Sequence, residues 1–179
     1  MEAASKEIYI IITQTGTVLS RILKLITHRD YNHASISVYP DLHKMYSFGR
    51  LNPYNPFLGG FVEESKDFGT FKRFRNTEAM VLSVAVSDDT YDTICKTLNS
   101  MLADRKNYHY NYLGLWLASV KIHRQAENCY YCSEFVKHIL SENGIEGADN
   151  LEKIVHPMHF LSLPDAKNIY CGKLRDFSA

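Results

Sequence analysis

The segment spanning residues 132–140, CSEFVKHIL, constrains this chain more than any other. Phe135, Val136 and Ile139 follow Cys132 by three, four and seven positions, the spacing of one helix face. Gly144 lies where such a helix would stop. The helix must bury its apolar face, and that face begins with a thiol. Residues 8–12 (IYIII), 34–39, 44–48 and 80–86 are short runs rich in β-branched and aromatic side chains, the signature of strands. A one-sided helix and several short strands call for an α+β protein, with an antiparallel sheet packed against helices.

At 179 residues the chain is expected to form one domain, residues 1–179, with room for a substantial core. Twenty Lys and Arg cancel twenty Asp and Glu, so no long-range field argues for nucleic acid or an anionic surface as partner. Residues 1–6 lack the basic and apolar regions of a signal peptide, and no run approaches the length of a membrane span. The expected location is cytoplasmic, with the four cysteines reduced.

Gly16 and Thr17 introduce a helix over residues 18–27, and Pro40-Asp41 turns the strand at 34–39 into the one at 44–48. Residues 50–60, rich in Asn, Pro and Gly, read as a surface loop. Strands are expected at 61–64 and 70–74, helices at 88–102 and 112–120, and a polar connector at 121–128. Pro157 and Pro164 bracket a short segment before a last strand at 168–174.

A thiol in the first turn of a helix feels the positive end of the macrodipole, which favours thiolate. An imidazole at the head of a strand is the base that could complete the pair. His33 heads a strand in which His33, Ser35 and Ser37 alternate with Ala34, Ile36 and Val38, placing it on the more polar face. Against this stand an inert core cysteine and a hydrogen-bonded histidine. Cys129 and Cys132 also have the C-x-x-C spacing. A redox pair calls for a preceding strand, and zinc for a second ligand cluster. The polar connector, Cys95 in a helical pattern and Cys171 in a terminal strand supply neither. No metal or cofactor is expected.

The phrases Asn32-His33-Ala34-Ser35-Ile36, Met45-Tyr46-Ser47-Phe48-Gly49-Arg50 and Tyr131-Cys132-Ser133-Glu134-Phe135-Val136 together resemble the permuted branch of the NlpC-type papain-like cysteine hydrolases. That branch includes YiiX-like bacterial proteins and the lecithin–retinol acyltransferase group, and in it the histidine precedes the cysteine. The resemblance implies a circularly permuted papain-like fold, Cys132 as nucleophile and His33 as general base. A polar residue on the next strand orients the histidine in that family. Counting along 44–48 places Ser47 there, with Glu64 as the alternative. The implied reaction is cleavage of an amide or peptide-like bond in a small peptide, amide or acyl substrate. Acyl transfer on the same dyad and a catalytically silent binding module are the competing readings. The sequence does not specify an oligomeric state.

Overall fold

The computed structural model describes residues 6–14, 31–52, 55–124 and 126–178. The helix expected at 18–27 lies outside them. One eight-stranded sheet organises the rest, in the order β7-β6-β4-β3-β2-β1-β5-β8. Its strands are β1 (Lys6–Gln14), β2 (His33–Ser37), β3 (Met45–Asn52), β4 (Asn55–Glu64), β5 (Glu78–Val86), β6 (His109–Tyr110), β7 (Cys129–Tyr130) and β8 (Ala166–Lys173). All neighbouring pairs are antiparallel except β6 and β7. Four α-helices accompany them: α1 (Gly69–Arg73), α2 (Asp88–Ala103), α3 (Tyr112–Ser119) and α4 (Cys132–Glu142). Among the described residues no helix is long and apolar enough to cross a membrane.

The unbroken apolar run of β1 reflects burial on both faces. Ile8, Ile10 and Ile12 enter the larger core, Tyr9 and Ile11 the smaller one. The larger core takes the inner faces of α2, through Ile94 and Leu98, and α4, through Phe135, Val136 and Ile139. Phe135 fixes α4 over the β3–β4 hairpin: its ring lies 5.4 Å from both Phe48 and Phe61, which are themselves 5.6 Å apart. Tilted aromatic pairs of this kind contribute about 0.5–1.5 kcal/mol each beyond the area they bury.

Two expectations are corrected. Residues 50–52 and 55–60 are not loop; they belong to β3 and β4, with Asn52 opposite Asn55. Pro56 is accommodated because β4 pairs with β6 only at Gly60 and otherwise has an open edge. Residues 70–74 contribute to α1 rather than to a strand. Gly69, at φ +59°, turns the chain into it. Phe71 is its single buried anchor, and one apolar contact suits a single helical turn as well as it suits a strand.

Candidate active site

The site is built where the start of α4 meets the start of β2. β7 runs parallel to β6, and the Asn111 N–H donates to the Tyr130 carbonyl at 2.9 Å. Tyr131 is extended and caps α4, so Cys132 is the first helical residue. The Glu134 carboxylate accepts the Tyr131 N–H at 3.1 Å and the Asn111 side-chain amide at 3.2 Å. Asn111 in turn accepts the Gly114 N–H at 2.8 Å and so caps α3. One buried Asn–Glu contact therefore ties the two helix starts together. Burial pushes the Glu134 carboxyl up to about 7, against the stabilising Tyr131 and Asn111 donors.

His33 stands opposite Thr13 at the head of β2, and Ser35 and Ser37 follow it on the same face. That face belongs to the smaller core, and the His33 ring lies 6.3 Å from the Phe71 ring. α4 packs on the other face, against Ala34 and Ile36. The two sides meet at the strand head. There the Cys132 sulfur lies 3.9 Å from the Asn32 carbonyl oxygen and is coupled electrostatically to the His33 side chain and the Ala34 backbone amide.

The other side of the imidazole is held by a carboxylate. His33 Nε2 lies 3.0 Å and 3.2 Å from the two Glu64 oxygens, and the Ser35 hydroxyl donates to Glu64 Oε2 at 2.7 Å. The Ser35 hydroxyl also lies 3.3 Å from His33 Nε2. The His33–Glu64 pair has little access to water, at 15% and 11% side-chain exposure. Gly49 makes this approach possible: a Cβ there would stand 3.1 Å from Glu64 Oε1 and 3.6 Å from His33 Cε1.

Ser47, the residue expected to orient His33, does not reach it. Its fully buried hydroxyl donates to the Ala34 carbonyl at 2.6 Å, bonding β3 to β2. Glu64 holds the third position instead. It extends from β4, one strand beyond the one on which Ser47 was counted.

The charges reinforce one another. Burial is the largest single influence and opposes protonation of His33, but the charge and hydrogen bond of Glu64 and the Cys132 contact together outweigh it and raise the imidazolium to about 10. Burial likewise works against a thiolate at Cys132. The His33 hydrogen bond and charge, the Ala34 amide and the Ser133 hydroxyl outweigh it and hold the thiol below its ordinary value. Both shifts run in the direction of thiolate and imidazolium. All four cysteines are free thiols, and only Cys132 has this setting.

Sequence reasoning gave the segment Tyr108–Tyr112 only a pocket-shaping role and assigned none to Gly49 or Glu134. Glu134 carried a readable signal, three positions after the helix cap, where a Glu returns to the cap amide. Tyr131 at the cap, in place of Ser or Thr, concealed it. The chain matches no model of a known protein family, and a search of curated proteins finds no match.

Proposed function

We propose that this chain is a cysteine hydrolase with a permuted papain-like arrangement, acting on an amide or peptide-like bond. The observation that carries the reading is the meeting of the α4 start with the head of β2, which couples the Cys132 thiol electrostatically to an imidazole that is itself held by the little-exposed Glu64 carboxylate. The thiolate attacks the carbonyl carbon, and the oxyanion forms near the Cys132 N–H, one of the first-turn amides a helix leaves without an internal acceptor. The His33 imidazolium gives its proton to the leaving nitrogen as the C–N bond breaks, which leaves a thioester on Cys132. Neutral His33 then takes a proton from water. The resulting hydroxide equivalent attacks the thioester, releasing the acid and restoring the thiolate–imidazolium pair.

Glu64 keeps the ring in register and stabilises the imidazolium; it needs no proton of its own in either half-reaction. The binding-module reading drew its support from a weak third residue, and a carboxylate at hydrogen-bond distance from His33 removes that support. Acyl transfer uses the same groups with an alcohol or amine in place of water. The exposed apolar side chains of α3, Leu113 at 48% and Trp116 at 63%, favour keeping it for an apolar acyl acceptor. The test is trapping of the intermediate: brief incubation with activated thioester or peptide-amide acyl donors, followed by intact-mass analysis. The expected result is a single acyl adduct on Cys132, absent from Cys132→Ala and lost on standing in water. An adduct that forms equally in Cys132→Ala would end the proposal, and accumulation of product only with an added nucleophile would convert it to the transferase form.

A further inference from the structure

Beside this site lies a cation that the described residues leave without a counter-ion. Arg50 follows Gly49 in β3 and is half-buried, yet among the described residues it forms no ion pair or hydrogen bond with a carboxylate. A guanidinium held out of water without an acceptor is costly, and such sites are ordinarily paired. Its charged neighbour is Arg73, and burial together with that like charge works against the protonated form.

The surroundings are shaped to receive an acceptor. Gly59 stands opposite Arg50 in the hairpin, and a Cβ there would fall 2.6 Å from the Tyr112 hydroxyl and 3.0 Å from Tyr110. The absence of that side chain lets the two tyrosines, tilted against each other with ring centroids 4.5 Å apart, close over the strand. Tyr110 is coupled electrostatically both to Arg50 and to Cys132. Arg50 also lines a cavity of about 630 Å³ together with Glu64 and Phe71, the two side chains that hold His33. Of the carboxylates in that cavity, Glu64 is taken by His33 and Glu63 by Lys44 at 3.6 Å, leaving Asp67 beside Arg50 and Arg105.

We propose that Arg50, with Gly59 and Tyr110 around it, is the subsite for a carboxylate on the acyl substrate, so that the scissile bond is presented to Cys132 by an acidic compound. This rests on Cys132 being the nucleophile. A planar guanidinium matches a carboxylate with two parallel hydrogen bonds, and the bound anion would supply the charge that the fold leaves out.

The experiment uses the full chain and thiol-directed probes that need no known substrate. N-iodoacetyl-glycine and N-iodoacetyl-β-alanine are compared with their primary amides; in each case the thiolate displaces iodide and a carbon–sulfur bond forms. Labelling of Cys132 is followed by peptide mapping, and the readout is the rate ratio of acid to amide, in which any general loss of reactivity cancels. For at least one spacer the acid should be favoured in the native chain. Arg50→Gln should lower that ratio about tenfold or more, the scale of one charge-assisted hydrogen bond, and Arg50→Lys should recover part of it. An acid-to-amide ratio that is the same in the native chain and in both variants overturns the subsite. A preference for the matching phosphonate over the carboxylate overturns the carboxylate assignment. If the neutral amides label other cysteines in preference to Cys132, the hydrolase reading itself falls. Labelling of Cys132 without charge preference removes the subsite alone.

Discussion

Glu64→Gln tests the electrostatic core of the site while leaving its shape intact. In the native protein the carboxylate contacts His33 Nε2 at 3.0 Å and 3.2 Å, and the pair is at most 15% exposed, so solvent screens it weakly. Glutamine can keep one acceptor toward His33 but loses the charge. A hydrogen bond to a charged group is worth about 1.5–3 kcal/mol, and one pKa unit corresponds to about 1.36 kcal/mol. Glu64→Gln should therefore lower His33 from about 10 by roughly one to two units. A weaker imidazolium supports the thiolate less, so the pH profile of Cys132 alkylation should move upward. The sign for stability follows from the same shift. Because the folded His33 pKa lies above its unfolded value, its contribution is complete below about 6.5 and disappears as pH rises through about 10. The stability difference between native and Glu64→Gln protein, measured by urea unfolding, should thus be clear near pH 7 and shrink toward pH 10. An unchanged alkylation profile in a folded Glu64→Gln sample, or a stability gap that widens with pH, would refute the coupling.

Three further substitutions separate the remaining roles. His33→Ala should raise the Cys132 pKa, since burial then acts with less opposition, and should reduce turnover about 100- to 10,000-fold; stopped-flow alkylation against pH and substrate turnover measure the two effects. Ser47→Ala should cost about 1 kcal/mol from the lost bond to the Ala34 carbonyl, seen as a lower urea midpoint at constant slope, with the Cys132 labelling rate kept. A labelling loss as large as that of Glu64→Gln would return Ser47 to the orienting role. Gly49→Ala places a methyl 3.1 Å from Glu64 Oε1 and 3.3 Å from Val62 Cγ2, so it should displace the carboxylate and slow Cys132 labelling in the same direction as Glu64→Gln; labelling at native rate would show that Glu64 has slack.

Where burial was two-sided or strictly one-sided, the elements could be read from residue type. The IYIII run in β1 and the stripe of Phe135, Val136 and Ile139 in α4 both record the solvent boundary directly. Segments placed by tertiary context were less legible. The run at 50–60 has the Asn, Pro and Gly content of a loop, yet residues 50–52 and 55–60 are strand, because Arg50 and Asn52 of β3 pair with Gly59 and Asn55 of β4. At 70–74 the alternation of Phe71 with polar neighbours resembled a strand, but no sheet edge is paired with it, and the chain closes into one turn over His33.

The site divides along the same line, between what local pattern encodes and what only register supplies. Cys132 and His33 each announce themselves by position, one at a helix head and one at a strand head, and the fold brings those heads together. The orienting group has no such local mark. Counting along β3 leads to Ser47, which points toward the right neighbourhood but is consumed by the Ala34 carbonyl. Glu64 is one strand further away and four residue rows along the sheet from His33, as the pairings Ile36–Tyr46 and Met45–Glu64 define the rows. Its side chain has to reach diagonally along the sheet, and it can do so only because the position it passes is Gly49. A glutamate at a strand end and a glycine in an Arg-flanked strand are ordinary features when read separately. Their meaning arises from the β3–β4 register, which fixes at once the carboxylate behind His33 and the cation at Arg50 beside it.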